Sequence, residues 1–316
     1  MIDFAKQFKE VAEAAKDACV DGRFDRVIFC GMGGSAIPAE MITMLWLDKL
    51  NPYIQRGFGL PPWVNKNCLV ICVSWSGDTE ETISSFVKAQ ELALPLVAIT
   101  KGGQLLKLAQ NSTASLVTLP QDDLPARFGL GYMFAAILTL LGHSAIIEDN
   151  LDVLNFLSPS TDANLFSSRI GSKTPLIYSS YQWRYLARHW KIHFNEDCKI
   201  HSFSNYFPEA AHNELAAYGE PRLMRAGFNQ TNKESYFPII LVDPEEEQAD
   251  IQKLSKFASF LTSQGIDHEI INLDGKNRFQ KILKNVNQAV SISTELAKSL
   301  GVNPFDAALI EGFNKS

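Results

Sequence analysis

The sequence predicts an α/β protein made of two three-layer α/β/α domains, each a parallel sheet with helices on both faces. Three observations predict it. Short apolar runs without polar alternation, such as Cys68-Leu-Val-Ile-Cys-Val73, recur along the chain, and strands buried on both faces read this way. Stretches with helical spacing of apolar residues separate them, and strand alternating with helix means parallel pairing. The pattern is laid down twice over 316 residues, a length that suits two domains. We place these at 1–150 and 151–316.

Phe4, Phe8, Val11, Ala15 and Cys19 share one helical face, which predicts a helix over 2–20. Arg26-Val-Ile-Phe-Cys30 is a buried strand, followed by Gly31-Met-Gly-Gly-Ser35 and a helix over 37–49. A weaker strand lies near Tyr53–Gln55, the central strand at 68–73, and a helix over 79–92. Pro95–Thr100 and Leu116–Leu119 are further strands, with a short helix from Leu105 between them. A helix over 130–143 closes the first half, and 144–172 reads as a helical bridge. The second half gives strands at Thr174–Ser180, Lys199–Phe203, Phe237–Asp243 and His268–Asn272. Its helices lie over 182–195, 209–217 and 281–300, with Glu245-Glu-Glu247 as an acidic helix start stabilised by the helix dipole.

Composition narrows the function. Apolar residues make up 46% and charged residues 20%, which fits a packed globular chain. The net charge is 29 minus 35, or −6, which argues against a nucleic-acid-binding surface. There is no run of 18 apolar residues, and the N-terminus is amphipathic rather than signal-like, so a cytoplasmic protein without a membrane span is expected. Five cysteines include no C-x-x-C pair. Buried free thiols are therefore expected, and neither zinc nor dithiol chemistry.

Ligands of parallel α/β sheets sit beyond the carboxyl ends of the strands, and two unusual loops lie at such ends. Ser74-Trp-Ser-Gly-Asp-Thr79 combines hydroxyls, a glycine and a helix start, which together make an anion cradle without Lys or Arg. Its plain alternative is a turn with an N-cap at Asp78 or Thr79. Gly31-Met-Gly-Gly-Ser-Ala36 suits close backbone approach to a sugar or phosphate, with Gly33, Gly34 and the Ser35 hydroxyl at hand. It also fits the G-x-G-x-x-A dinucleotide fingerprint. No acidic residue follows at the end of the next strand, where Arg56 is the one group suited to a 2′-phosphate. Trp183, Tyr185 and Trp190 are read as core.

These motifs resemble the sugar isomerase (SIS) domains, and in the second half those of the bifunctional phosphoglucose/phosphomannose isomerases. Gly31–Ser35 and Ser74–Thr82 resemble the SIS loops. Arg188-His-Trp-Lys-Ile-His-Phe-Asn-Glu-Asp-Cys-Lys199 resembles that family's R-W-K-x-x-x-N-E-N-x-K segment, Pro208-Glu-Ala-Ala-His-Asn-Glu214 its P-E-x-x-H-N-E, and Gly301-Val-Asn-Pro304 its G-V-D-P. The resemblance implies two SIS-like domains and an aldose–ketose isomerase that interconverts glucose 6-phosphate and/or mannose 6-phosphate with fructose 6-phosphate through a cis-enediolate. It implies Gly33, Gly34, Ser35, Ser74, Ser76 and Thr79 as the sugar-phosphate binders, Glu196 as the base, His212 as the ring-opening group and Arg127 beside the enediolate oxygen. That chemistry needs no metal or organic cofactor, and the family implies a homodimer. The chain departs from the family at Ala126 (Pro there), at Asp78 (Asn there), and in its tail, where Lys315 stands one residue past the expected lysine. A sugar-phosphate-binding sensor without turnover is the alternative reading.

Overall fold

The computed structural model describes residues 2–16, 18, 22–47, 50–150, 152–153, 157, 163–218 and 235–314. Cys19 and Lys315, both singled out in the sequence, lie outside the described residues. The chain divides into two compact units, Ile2–Leu157 and Ser158–Ser316.

The N-terminal unit contains β1 (Arg26–Cys30), β2 (Pro52–Gln55), β3 (Cys68–Val73), β4 (Leu96–Thr100) and β5 (Ser115–Thr118) in one parallel sheet of order β2-β1-β3-β4-β5. Its helices are α1 (Phe4–Lys16), α2 (Ile37–Met44), α3 (Glu80–Glu91), α4 (Gly103–Gln110), α5 (Leu130–Leu140) and the single turn α6 (Ala145–Glu148). Strand side chains alternate between the two faces. Ile28, Cys30, Val70, Cys72 and Ala98 point to one face and join Phe86, Ala89 and Leu105 of α3 and α4 in a continuous core. On α1, Phe8 meets Phe134 of α5 edge to face. Every residue of α5 is buried, in keeping with a sequence that is apolar but for Thr139.

The C-terminal unit contains α7 (Ala163–Ile170), β6 (Thr174–Ser180), α8 (Arg184–Asp197), β7 (Phe203–Phe207), β8 (Tyr236–Val242), α9 (Gln248–Ser263), β9 (Glu269–Asn272), α10 (Arg278–Ser299) and α11 (Ala308–Asn314). Its strands are again all parallel, in the order β7-β6-β8-β9. One face carries α9: Leu176, Tyr178 and Ile240 pack there with Leu254, Phe257 and Leu261. The other face carries α7, α8 and α10, where Phe166 touches both Phe237 and Trp190, and Trp190 Nε1 donates to Asn285 Oδ1 at 2.7 Å. Trp183 and Trp190 are fully buried, as the sequence implied, while Tyr185 is half-buried.

Three sequence-based elements are corrected. The strand expected at 199–203 is displaced to Phe203–Phe207, because Lys199 has φ +58, outside the extended region. The helix expected over 209–217 is two 3-10 turns, Glu209–His212 and Glu214–Tyr218, broken at Asn213. Glu245–Glu247 precede α9 rather than form its first turn. Glu245 is drawn to Lys281 Nζ (2.6 Å), and Glu246 accepts from the Ser180 hydroxyl.

Candidate active site

In the N-terminal unit the sheet order reverses between β1 and β3, so connections leave in opposite directions there and open a crevice at the carboxyl ends. The glycine loop follows β1 and the serine loop follows β3, so both line that crevice. The Ser35 hydroxyl accepts from Trp75 N at 3.0 Å, which ties one loop to the other. Ser74 is fully buried; its Oγ lies 2.9 Å from Thr79 Oγ1 and accepts from Gly77 N at 3.1 Å. Ser76 is exposed, and its Oγ accepts from Asp78 N at 3.3 Å. Thr79 occupies the N-cap position of α3 but makes no capping bond; its hydroxyl turns into the loop instead. The first-turn amides of α3 are thus not taken by the cap and face the same loop as the hydroxyls, the arrangement that holds an anion at a helix N-terminus.

Two glycines make this geometry possible. Gly77 has φ +84, and a Cβ there would lie 1.8 Å from Gly102 O. Gly34 has the Ala126–Arg127 backbone against it, with Arg127 N 2.8 Å from the place of a Cβ. The Arg127 turn therefore rests directly on the glycine loop.

Arg127 is not a surface cation. It is 2% exposed, with its guanidinium carbon 5.0 Å from the Phe128 ring centroid. Its turn is held from two sides. Trp75 of the serine loop donates from Nε1 to Leu124 O (2.8 Å), stacks on Tyr132, and lies where any side chain at Gly129 would sit. From α1, Gln7 Nε2 donates to Phe128 O and Gln7 Oε1 accepts from Gly131 N, both at 2.8 Å. Neither Trp75 nor Gln7 was singled out in the sequence. The signal for Gln7 was a polar residue on the apolar stripe of α1, between Phe4 and Phe8.

Asp78, the departure in the serine loop, is turned to the neighbouring helix: its Oδ1 accepts from Gln104 N at 2.9 Å and caps the first turn of α4. Arg56, on which a dinucleotide reading rests, is ion-paired with Glu40 of α2, whose side chain is 1% exposed. Among the described residues no group of three or more His, Cys, Asp or Glu is arranged to hold a metal ion.

In the C-terminal unit Glu196 lies in the last turn of α8, half-buried. That turn is fixed on both sides. His193 Nδ1 and the Ser293 hydroxyl of α10 each lie 2.7 Å from Asp197 Oδ2, and Asn195 Oδ1 accepts from Ser202 N at 2.8 Å. Lys199 Nζ donates to the carbonyls of Glu196 and Asp306, which draws the Gly301–Pro304 turn to the same place.

His212 is exposed at the end of the first 3-10 turn. Its loop is anchored by Glu214, which accepts from Tyr178 OH and from Asn205 Nδ2, both at 2.6 Å. Burial, the neighbouring Tyr218 and Glu214 push the Tyr178 phenol far above its ordinary range, so it remains a donor. Within this unit Glu196 and His212 are not brought together. Glu196 stands at the entry of β7 on the α8 face. His212 follows the exit of β7, in a segment whose Ala210 and Leu215 pack on the α9 face.

Two all-parallel sheets, with hydroxyls and a helix start gathered beyond the strand ends of the first, define a two-unit parallel α/β protein. The family model described as bacterial phospho-glucose isomerase C-terminal SIS domain matches residues 160–316. A tagatose-6-phosphate ketose/aldose isomerase from Escherichia coli shares the fold, with a TM-score of 0.65 and 14% identity over 93% of this chain and 93% of that one. A bifunctional phosphoglucose/phosphomannose isomerase from Aquifex aeolicus is 28% identical over 98% of this chain and 94% of its own length. The protein of that name from Caldicellulosiruptor bescii is 30% identical over 69% of this chain and 70% of its own. The chain belongs to the bifunctional phosphoglucose/phosphomannose isomerase family. No described helix is long and apolar enough to cross a membrane.

Proposed function

We propose that this chain is an aldose–ketose isomerase of the cytoplasm that interconverts glucose 6-phosphate and/or mannose 6-phosphate with fructose 6-phosphate. The observation that carries the reading is the cradle of Ser74, Ser76, Thr79 and the α3 amides at the crevice of the first sheet, in a chain whose relatives bear the names of phosphosugar isomerases.

In this reading Gly33, Gly34, Ser35, Ser74, Ser76 and Thr79 bind the sugar phosphate. His212 gives a proton to the ring oxygen as the bond from C1 to that oxygen breaks, and takes the O1 proton in return as the C1 carbonyl forms. Lys315 assists from the tail. The Glu196 carboxylate then takes the proton from C2 of the aldose, leaving a cis-enediolate with its charge on O1; the O2 proton passes to O1, and Glu196 returns its proton to C1 as O2 becomes the carbonyl. Arg127 stabilises the negative oxygen in between, where a buried cation is worth more than in water. No oxidant enters, because one carbon is reduced as its neighbour is oxidised.

We further propose a homodimer. Glu196 and His212 stand on opposite faces and at opposite ends of β7, so two groups acting on one hexose come from two copies.

A coupled assay starting from fructose 6-phosphate, with separate readouts for glucose 6-phosphate and mannose 6-phosphate, tests the reading. Formation of either product is expected, and Glu196→Gln is expected to abolish it while fructose 6-phosphate still raises the melting temperature. Turnover retained in Glu196→Gln would sink the assignment of the base.

A further inference from the structure

We propose that Gln7 is a positioning residue for the isomerisation: its side-chain amide sets the place of Arg127. The inference rests on the isomerase reading and extends it to a residue that touches no substrate.

Gln7 is 3% exposed, at a position of α1 where the helical pattern calls for an apolar residue. Burying a carboxamide is costly unless both its ends are bonded, and here both are bonded to one turn. Nε2 donates to the carbonyl of Phe128, the residue after Arg127, and Oε1 accepts from Gly131 N, both at 2.8 Å. Gly131 lies in the first turn of α5, and the N-cap of that helix, Gly129, has no side chain to give. Gln7 therefore caps α5 from another helix and pins the carbonyl beside Arg127 with the same group. A Cβ at Gly131 would lie 2.4 Å from Gln7 Oε1, so the glycine there makes room for the amide.

The consequence reaches the glycine loop, because the Arg127 backbone lies against Gly34. A turn free to shift moves the guanidinium relative to Ser35 and the serine loop. Displacement of a charge-stabilising group by about 1 Å is enough to cost up to ~100-fold in rate. The phosphate-binding hydroxyls are held by their own bonds to Trp75, Gly77 and Thr79, so the loss falls on turnover rather than on binding.

The test compares wild type, Gln7→Met, Arg127→Met and the double variant in the fructose 6-phosphate assay, with melting temperatures alongside. Gln7→Met keeps the volume and removes both bonds. Its kcat is expected to fall about 10- to 100-fold with little change in KM. In the Arg127→Met background the same change is expected to cost almost nothing more, because the two residues act through one term. Gln7→Glu keeps the acceptor for Gly131 N and loses the donor to Phe128 O; it is expected to fall between, and stands in if Gln7→Met does not fold. Undiminished kcat in the Gln7 variants of an active enzyme, or losses that multiply with Arg127→Met, overturns the inference alone. No turnover in the wild type overturns the isomerase reading, and this inference with it.

Discussion

His189 shows how much one side chain can set against its surroundings. It is 1% exposed on α8, its ring centroid is 4.5 Å from that of His193, and neither of its ring nitrogens has a hydrogen-bond partner among the described residues. Burial, then His193 and Arg188, hold its pKa well below the ordinary value of 6.5. The sign follows from linkage. Below about pH 6.5 the unfolded chain takes up a proton that the folded chain refuses, so this residue costs stability as pH falls through that range. His189→Leu removes both the orphaned nitrogens and the linkage. It is expected to raise unfolding free energy at pH 7 by about 1–2 kcal/mol, with a larger gain at pH 5, measured by urea denaturation. A variant less stable at both pH values would mean that the imidazole is hydrogen-bonded in solution.

The loop after β3 carries the comparable question for an element. Asp78 places a carboxylate beside the proposed anion cradle, yet its oxygen caps α4 through Gln104 N. Asp78→Ala is therefore expected to cost about 1 kcal/mol of stability, with KM for fructose 6-phosphate unchanged or slightly lower, while Asp78→Asn keeps the cap. An unchanged melting temperature together with a large fall in KM would show that the carboxylate chiefly repels substrate. The sequence could not reveal this bond, because Asp78 looked equally suited to cap the helix that follows it. Strands and helices were legible where period and burial agreed, as in Cys68–Val73 and Arg26–Cys30. Legibility failed where a distant partner overrode local pattern. Glu245 and Glu246 look like a helix start until Lys281 and Ser180 claim them. The 209–217 segment has helical composition, but Glu214 is pulled onto Tyr178 and Asn205. Motif spacing marked the loop hydroxyls and Glu196 as candidates. It missed Gln7 and Trp75, whose roles exist only because residues more than forty positions away come to meet them.

For the whole molecule, the decisive fact is the separation of Glu196 from His212 by β7 and by the thickness of the sheet it edges. A hexose does not bridge a helix–sheet–helix stack, so if both groups act on one substrate, as proposed, they come from two copies. In the proposed symmetric dimer each site draws on both copies, and the two sites are equivalent. Complementation follows from that symmetry. Glu196→Gln and His212→Ala are each expected to be inactive alone. In a mixed dimer one site has lost both groups, and the other holds the intact Glu196 of the His212→Ala chain and the intact His212 of the Glu196→Gln chain. Equal amounts of the two variants, dissociated and reassembled together, are expected to recover roughly a quarter of wild-type activity, since half of random dimers are mixed and each has one whole site of two. Recovery near that level supports shared sites. No recovery, in a mixture shown by subunit labelling to contain mixed dimers, would mean that the two residues do not serve one site across copies, and His212 would lose its place in the ring-opening step.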